Sequence, residues 1–379
     1  MKIKFLLLLL IPAFVPVSGL PLYSPTWGFS MDLPGGYEFF DGDGRDRFSF
    51  MGPGKTQFDI RVYNSTYESV KSLVDDVNRR LGNRGSVDFF DYHNKPSAII
   101  ELKFGNIAGW GLCVTLDGES GPLPMLLALS YGPAASQSPL DLFHMSALDS
   151  IVPSPAEKRY PGPIMEYSFP RGEPERGPIA MSGINALIRK NDAEAAQVLV
   201  EREYQLLQIY AASPGWQEAW IRYYRAIYRD SWDRIADALF QLERGWNVNA
   251  DSKAASNGDA EMALAKKALT WVQGFDYERD TTKSDFVNLV SAITEGRGDC
   301  DSRAMLWAMI LAQADIRAAM MVSQKHSHAM GLADISGQGA RFEAEGINWL
   351  VAETTANVDI GLIAQDVSDT ESWLGVIFE

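Results

Sequence analysis

The stretch Gly296-Arg-Gly-Asp-Cys-Asp-Ser-Arg303, running on into Ala304–Ala314, decides how this chain is read. Its glycines permit a tight turn, Asp299 is a helix-capping residue, and Met305, Leu306, Met309 and Ile310 recur at helical spacing. The pattern predicts a buried helix with Cys300 in its first turn. Backbone N–H groups there lack intrahelical partners and the helix dipole favours negative charge, so the position suits a thiolate. A lone cysteine at a helix start is most often structural, and the downstream sequence is what changes that reading. Ser327-His-Ala-Met-Gly-Leu332 reads as a strand opening with His328, a glycine-rich tip follows at Ser336–Gly339, and the strand Trp349–Glu353 ends in Thr354-Thr355. His328 and Glu353 are 25 residues apart, as neighbours on paired antiparallel strands would be. A cysteine at a helix end, a histidine facing it and a carboxylate orienting the imidazole follow the triad logic of acyl transfer.

Leu269 to Glu379 resembles the transglutaminase-like cysteine protease superfamily. The family's Gly-Asp-Cys helix start matches Gly298-Asp299-Cys300, and its His-Ala strand start matches His328-Ala329. Its Asp-Pro-Thr falls on Glu353-Thr354-Thr355, with Glu in place of Asp and Thr in place of Pro, and Trp271–Tyr277 is similar to its usual lead-in. The resemblance implies a papain-type α+β domain in which Cys300 is the nucleophile, His328 the general base and acid, and Glu353 the residue that orients the imidazole. It implies no cofactor, and the Cys300 N–H is one candidate oxyanion-hole donor. A zinc site from His326, His328, Cys300 and Glu353 is the competing reading. Zinc sites usually show tighter Cys or His pairing, so no metal is expected. Thiol activation has a definite scale. Catalytic cysteines paired with histidine reach a pKa near 3–4 against ~8.5 for a free thiol, a shift corresponding to roughly 5 kcal/mol. A helix N-terminus supplies about 0.3–1 kcal/mol and rarely more than ~2. Protonated His328, held by Glu353, is expected to provide the rest and to make Cys300 reactive at mildly acidic pH.

Upstream, the chain alternates from Trp27 to about Pro153. Trp27–Leu33, Phe58–Tyr63, Ile99–Phe104, Leu112–Leu116 and Met125–Tyr131 read as strands, and Tyr67–Leu81 and Leu140–Ile151 as helices. This order resembles the PsbP-like α+β fold, a small antiparallel sheet with flanking helices, which implies a binding or docking role. Pro153, Pro155, Pro161, Pro163, Pro170, Pro174 and Pro178 then predict an extended, semi-rigid spacer. Helices are expected from Asn191/Asp192 to about Ala212, from Pro214 onward, over Asp259–Gln273 and over Ser284–Ile293. In the second of these, Trp216, Trp220, Tyr223, Ile227, Ile235, Leu239 and Leu242 form an apolar stripe, read as a face buried against a neighbouring helix rather than a ligand groove. Asp41-Gly-Asp-Gly-Arg-Asp46 begins like a calcium loop, but Arg45, Asp46 and Gly52 occupy positions that call for other residues, so a turn is expected.

Lys2 and Lys4 precede an apolar run broken by Pro12 and Pro16, and Val17 and Gly19 are small residues suited to cleavage before Leu20. This reads as a signal peptide over residues 1–19 rather than a membrane anchor, and no membrane span is expected after its removal. Apolar residues at 46% and charged residues at 22% of 379 exclude a disordered, collagen-like or polytopic membrane chain. The formal charge of −15 argues against a nucleic-acid partner. Cys113 and Cys300, in unlike surroundings, are expected to be unpaired. The expected class is therefore α+β: a PsbP-like domain over 20–153, a proline-rich linker over 154–180, a helical segment over 181–257 and a transglutaminase-like domain over 258–379. The expected function is an exported, periplasmic or extracellular cysteine-dependent enzyme that hydrolyses peptide or isopeptide bonds of a protein or peptide substrate in the cell envelope. The rival class is a catalytically inactive envelope binding or scaffold protein that retains the fold.

Overall fold

The computed structural model describes residues 21–118, 122–246, 257–279 and 284–378. The leader expected over 1–19 lies outside them. The fold is α+β. Its N-terminal part is a seven-stranded antiparallel sheet in the order Glu38–Gly42, Arg47–Met51, Gln57–Tyr63, Met125–Pro133, Ile107–Thr115, Lys95–Phe104, Val87–Tyr92. Side chains alternate between its faces as the pleat requires. Ile99, Leu112, Val114, Leu126 and Ala128 join one core, while Ala98, Ile100, Leu102, Cys113 and Leu127 join the other. Helix α1 (Val70–Leu81) covers the second face and α2 (Gln137–Asp149) the first. The Asp41–Asp46 stretch is the end of a strand followed by a turn over 43–46, where Asp43 Oδ1 accepts from the N–H groups of Arg45, Asp46 and Arg47.

The proline-rich stretch is extended only at its end, where Pro174–Pro178 is a strand paired with Asn185–Arg189. It carries the short helix α3 (Pro163–Ser168), which buries Ile164 and Met165 and whose first N–H groups donate to Asp149 Oδ1. Tyr92 Oη–H donates to the Pro161 carbonyl at 2.8 Å, tying the stretch to the sheet. Before Pro170, burial of residues between the prolines, Ile164 and Met165 among them, overrides the extended preference.

Helices α4 (Asp192–Tyr210), α5 (Trp216–Arg234), α6 (Ala236–Trp246) and α7 (Asn257–Gln273) follow, then α8 (Leu289–Glu295) and α9 (Cys300–Gln313). The helix expected to begin at Ser284 starts at Leu289, with Asn288 as its cap. The helix expected from Pro214 is broken at Ile235, so its stripe is shared by α5 and α6. A five-stranded antiparallel sheet closes the chain in the order Arg341–Ala344, Ile347–Ala352, His328–Ala333, Ala318–Ser323, Leu374–Val376. Residues of α4–α9 and of this sheet form one hydrophobic core, with Leu199, Ile227, Leu239, Leu269, Leu306, Met320 and Leu350 among them. The helical segment is thus packed into the C-terminal part rather than suspended between two units.

Buried arginines join this body to the N-terminal sheet. Arg222 donates to Asp32 O (2.7 Å), Glu203 Oε2 (2.7 Å) and Ser146 Oγ (2.7 Å). Arg202 pairs with Asp149 and Glu203, each at 2.7 Å, and Arg229 donates to the carbonyls of Asp149, Ile151 and Tyr160. Bidentate, delocalised guanidinium groups suit such buried crossings because each satisfies several acceptors at once.

Candidate active site

Helix α9 begins as its sequence predicts. Asp299 is the cap, accepting from Ser302 N–H at 3.0 Å, and Cys300 is the first helical residue. The incoming turn is fixed by Arg303, fully buried, which donates to Gly298 O (3.0 Å) and Phe275 O (2.7 Å). Gly298 is required by close approach, since a Cβ there would lie 2.5 Å from Ser302 Oγ. A second glycine sets the spacing between α9 and its sheet. A Cβ on Gly331 would lie 2.4 Å from the Trp307 ring, so the strand bearing His328 presses directly on the helix bearing Cys300.

His328 opens its strand, and its Nε2 shares a 2.7 Å hydrogen bond with Glu353 Oε2. Glu353 Oε1 accepts from Thr355 N–H (2.7 Å) and Thr355 Oγ1–H (2.6 Å), which fixes the carboxylate's orientation. Gln273 of α7 holds the backbone here, donating to Glu353 O and Val358 O. The Trp373 ring meets the imidazole edge to face, with centroids 6.2 Å apart. Burial disfavours the charged Glu353 carboxyl, yet the hydrogen bond and charge of His328, with the Thr355 donors, hold its pKa at about 2. With Nε2 engaged, Nδ1 is the nitrogen left to take a proton from a thiol.

The structure brings His328 and Glu353 into direct contact and places Cys300 beside them without a hydrogen bond between thiol and imidazole. The Ala329 N–H, next along from His328, acts to lower the Cys300 pKa, against larger opposing effects. The thiol proton points to Asp301 Oδ1 at 3.4 Å. Asp301 Oδ2 accepts from Tyr224 Oη–H at 2.7 Å, and Tyr224 Oη in turn accepts from Trp220 Nε1–H at 3.1 Å. Cys300 is 5% exposed. Burial pushes its pKa up, and the Asp301 and Asp299 carboxylates push it further the same way. Burial first, and the two flanking carboxyls after it, thus act against the acid-shifted thiolate expected from the sequence. Asp299 and Asp301, buried and mutually repelling, are themselves raised above the usual carboxylate range.

Cys300, Asp301 and His328 open onto a cavity of about 250 Å³. Its other walls come from the C-terminal end of α4 (Tyr204, Leu207, Ala211), the N-terminal half of α5 (Trp216, Trp220, Tyr223, Tyr224), the Ser323–His328 turn, and Arg279 with Asp285. The apolar stripe is thus two things in succession. Ile227 and, beyond the break, Ile235, Leu239 and Leu242 lie in the core, whereas Trp216 and Trp220 face the thiol's cavity. Both cysteines are free, and Cys113 is buried in the N-terminal sheet, where burial raises its pKa.

Among the described residues, the metal-ligand atoms that gather within 4.8 Å are those of Asp299, Cys300 and Asp301. The four-residue zinc set considered from sequence is not assembled. His326 Nε2 is taken by Asp369 at 2.7 Å and its ring stacks on Trp373.

No family model matches the chain, and no curated protein matches it. Among solved structures it is similar to the cyanobacterial PsbP of Synechocystis, at 10% identity and TM-score 0.28, over 37% of this chain and 95% of that one. It is similar to calcium-bound LapG of Legionella pneumophila at 14% identity and TM-score 0.21, over 42% of this chain and 80% of that one. A Bacteroides thetaiotaomicron protein is similar over 87% of this chain and 88% of its own, at 9% identity and TM-score 0.22. At these TM-scores the likenesses carry no argument about mechanism, which rests on the site alone.

Proposed function

We propose that this chain is an exported cysteine-dependent hydrolase of peptide or isopeptide bonds in which Cys300, His328 and Glu353 act as a triad. The observation that supports it best is the His328–Glu353 hydrogen bond at 2.7 Å beside a cysteine that opens a helix and shares a cavity with the imidazole. Because the resting thiol is held neutral, proton transfer accompanies attack rather than preceding it. Sγ bonds to the substrate carbonyl carbon as the thiol proton passes to His328 Nδ1, and Glu353 stabilises the imidazolium through Nε2. The Cys300 N–H, unpaired in the first helical turn, is a donor for the oxyanion. When the tetrahedral species collapses, the C–N bond breaks, the amine leaves with the His328 proton, and a thioester remains on Sγ. Water, deprotonated by the same imidazole, then releases the acid and restores the thiol.

The deciding assay is cleavage of envelope-derived peptides by the purified mature chain. Cys300→Ala should abolish it, His328→Ala should lower kcat by about 10²–10⁴, and Glu353→Gln should lower it less. Cleavage that survives Cys300→Ala refutes the triad. Export belongs to the same reading, and an intact mass beginning near Leu20 in the secreted protein supports it. Among the described residues, no helix is long and apolar enough to cross a membrane. The burial of the thiol and the pull of Asp301 on its proton favour a second reading, an inactive binding protein that keeps the fold. Absence of any thiol-dependent turnover of envelope-derived peptides by the folded wild-type chain would select it.

A further inference from the structure

One wall of the cavity that Cys300 and His328 share belongs to the helical segment rather than to the part of the chain that carries the triad. Trp216, Trp220 and Tyr224 form a ladder along α5, with ring centroids 5.8 and 6.2 Å apart, and Leu207 and Tyr204 of α4 face the same cavity. Tyr224 ends this ladder on Asp301, the neighbour of the nucleophile. The charged groups at the cavity are Asp301, already bonded to Tyr224 and the thiol, and Arg279, paired with Asp285 at 2.7 Å. Among the described residues, no guanidinium or ammonium in this lining is left over to pair with an acidic side chain. At about 250 Å³ the space suits one large side chain rather than a folded segment.

We propose that this α4–α5 wall is the specificity subsite of the enzyme, taking a large apolar, preferably aromatic, residue on the acyl side of the scissile bond. The inference rests on the triad reading, because it needs Cys300 to be the attacking group. Its direction follows from proton delivery. His328 must reach the departing amine, so the leaving group lies beside the imidazole and the acyl side chain is left the α4–α5 wall. Aromatic side chains bury large area at low cost in rotamer freedom and pack edge or face on the indoles already there. Acidic residues are refused, because they would face Asp301 without a counter-charge.

The test uses N-acetyl-Phe, N-acetyl-Gly and N-acetyl-Asp chloromethyl ketones, which form a C–S bond to Sγ with loss of chloride. Iodoacetamide serves as a probe too small to need a subsite. Mass spectrometry of the Cys300 peptide gives each second-order rate. The Phe probe should label at least tenfold faster than the Gly probe, and the Asp probe slower than either. Trp220→Ala should bring the Phe/Gly ratio near one, while Trp220→Phe should keep most of it. Because Trp220→Ala removes a partly buried side chain packed against the core, Ala211→Trp is the second variant. It fills the cavity from an exposed position at the end of α4 and should also collapse the ratio. Phe240→Ala, on the exposed side of α6, should leave the ratio unchanged. Equal Phe and Gly rates in the wild type, with His328-dependent iodoacetamide labelling intact, overturn the subsite and leave the triad standing. Loss of any His328 dependence overturns both.

Discussion

Asp301 sits one residue from the nucleophile and accepts its proton, so the carboxyl and the imidazole compete for the same thiol. Removing that charge should lower the thiol pKa, since the anion next to a thiolate is what disfavours it. The pH profile of iodoacetamide labelling at Cys300 should therefore lie above that of an ordinary thiol in the wild type and shift to lower pH in Asp301→Asn. A shift upward, or none, would show that burial alone governs the thiol. Glu353 carries a prediction of opposite sign. Its folded pKa of about 2 lies below the ordinary 4.5, so the stability that it contributes is fully present above pH 4.5 and is lost as pH falls through about 2. Denaturant titrations should find Glu353→Gln less stable than wild type at neutral pH, with the gap narrowing between those two values. A gap that stays constant into acid would mean that the carboxylate is not held by His328.

At the scale of elements, the pairing of α9 with the strand His328–Ala333 is what sets nucleophile against base. Gly331→Ala should force the Trp307 ring back and part the two, costing about 1–3 kcal/mol as overpacking does. It should also slow Cys300-dependent turnover, to be read by urea unfolding and peptide cleavage on the same sample. An alanine variant as stable and as fast as wild type would refute that account. The elements that carry the site were legible because each announces itself locally. A Gly-Asp-Cys helix start, a His at a strand start and a carboxylate at a strand end need no long-range information. Less could be read elsewhere. The strands Glu38–Gly42 and Val87–Tyr92 lie at the sheet's edges and are largely exposed, so the two-residue alternation that reveals a strand is weak in them. The break at Ile235 involves neither glycine nor proline and is imposed by tertiary packing, where Arg234 is pinned between Asp230 and Asp192. Asp301 was visible beside Cys300 as a charge, but its hydrogen bond to Tyr224, which decides its effect, comes from a residue 77 positions earlier.

Across the whole molecule, the N-terminal part is joined to the body through arginines that reach Asp32, Ser146 and Asp149. Arg222→Ala leaves Glu203 buried with one arginine fewer and should cost about 3–5 kcal/mol in urea unfolding. A loss below 1 kcal/mol would show that the crossing is solvated. Glu203, whose burial is outweighed by Arg222 and Arg202 so that its pKa sits at about 2, should titrate upward in that variant. Helix α5 carries two duties on opposite faces. Arg222, Arg225 and Arg229 reach Asp32, Ser146, Ile151 and their neighbours, while Trp216, Trp220, Tyr224 and Ile227 turn toward the thiol's cavity and the core. Because an α-helix advances 100° per residue, at 3.6 residues per turn, excising one residue from the middle of α5 would swing half of each face out of register. Such a deletion cannot be absorbed by either side alone. The gene segment encoding α5 therefore tolerates substitutions face by face but length changes only in whole turns, and a scan of one- to four-residue deletions across it would expose that arithmetic.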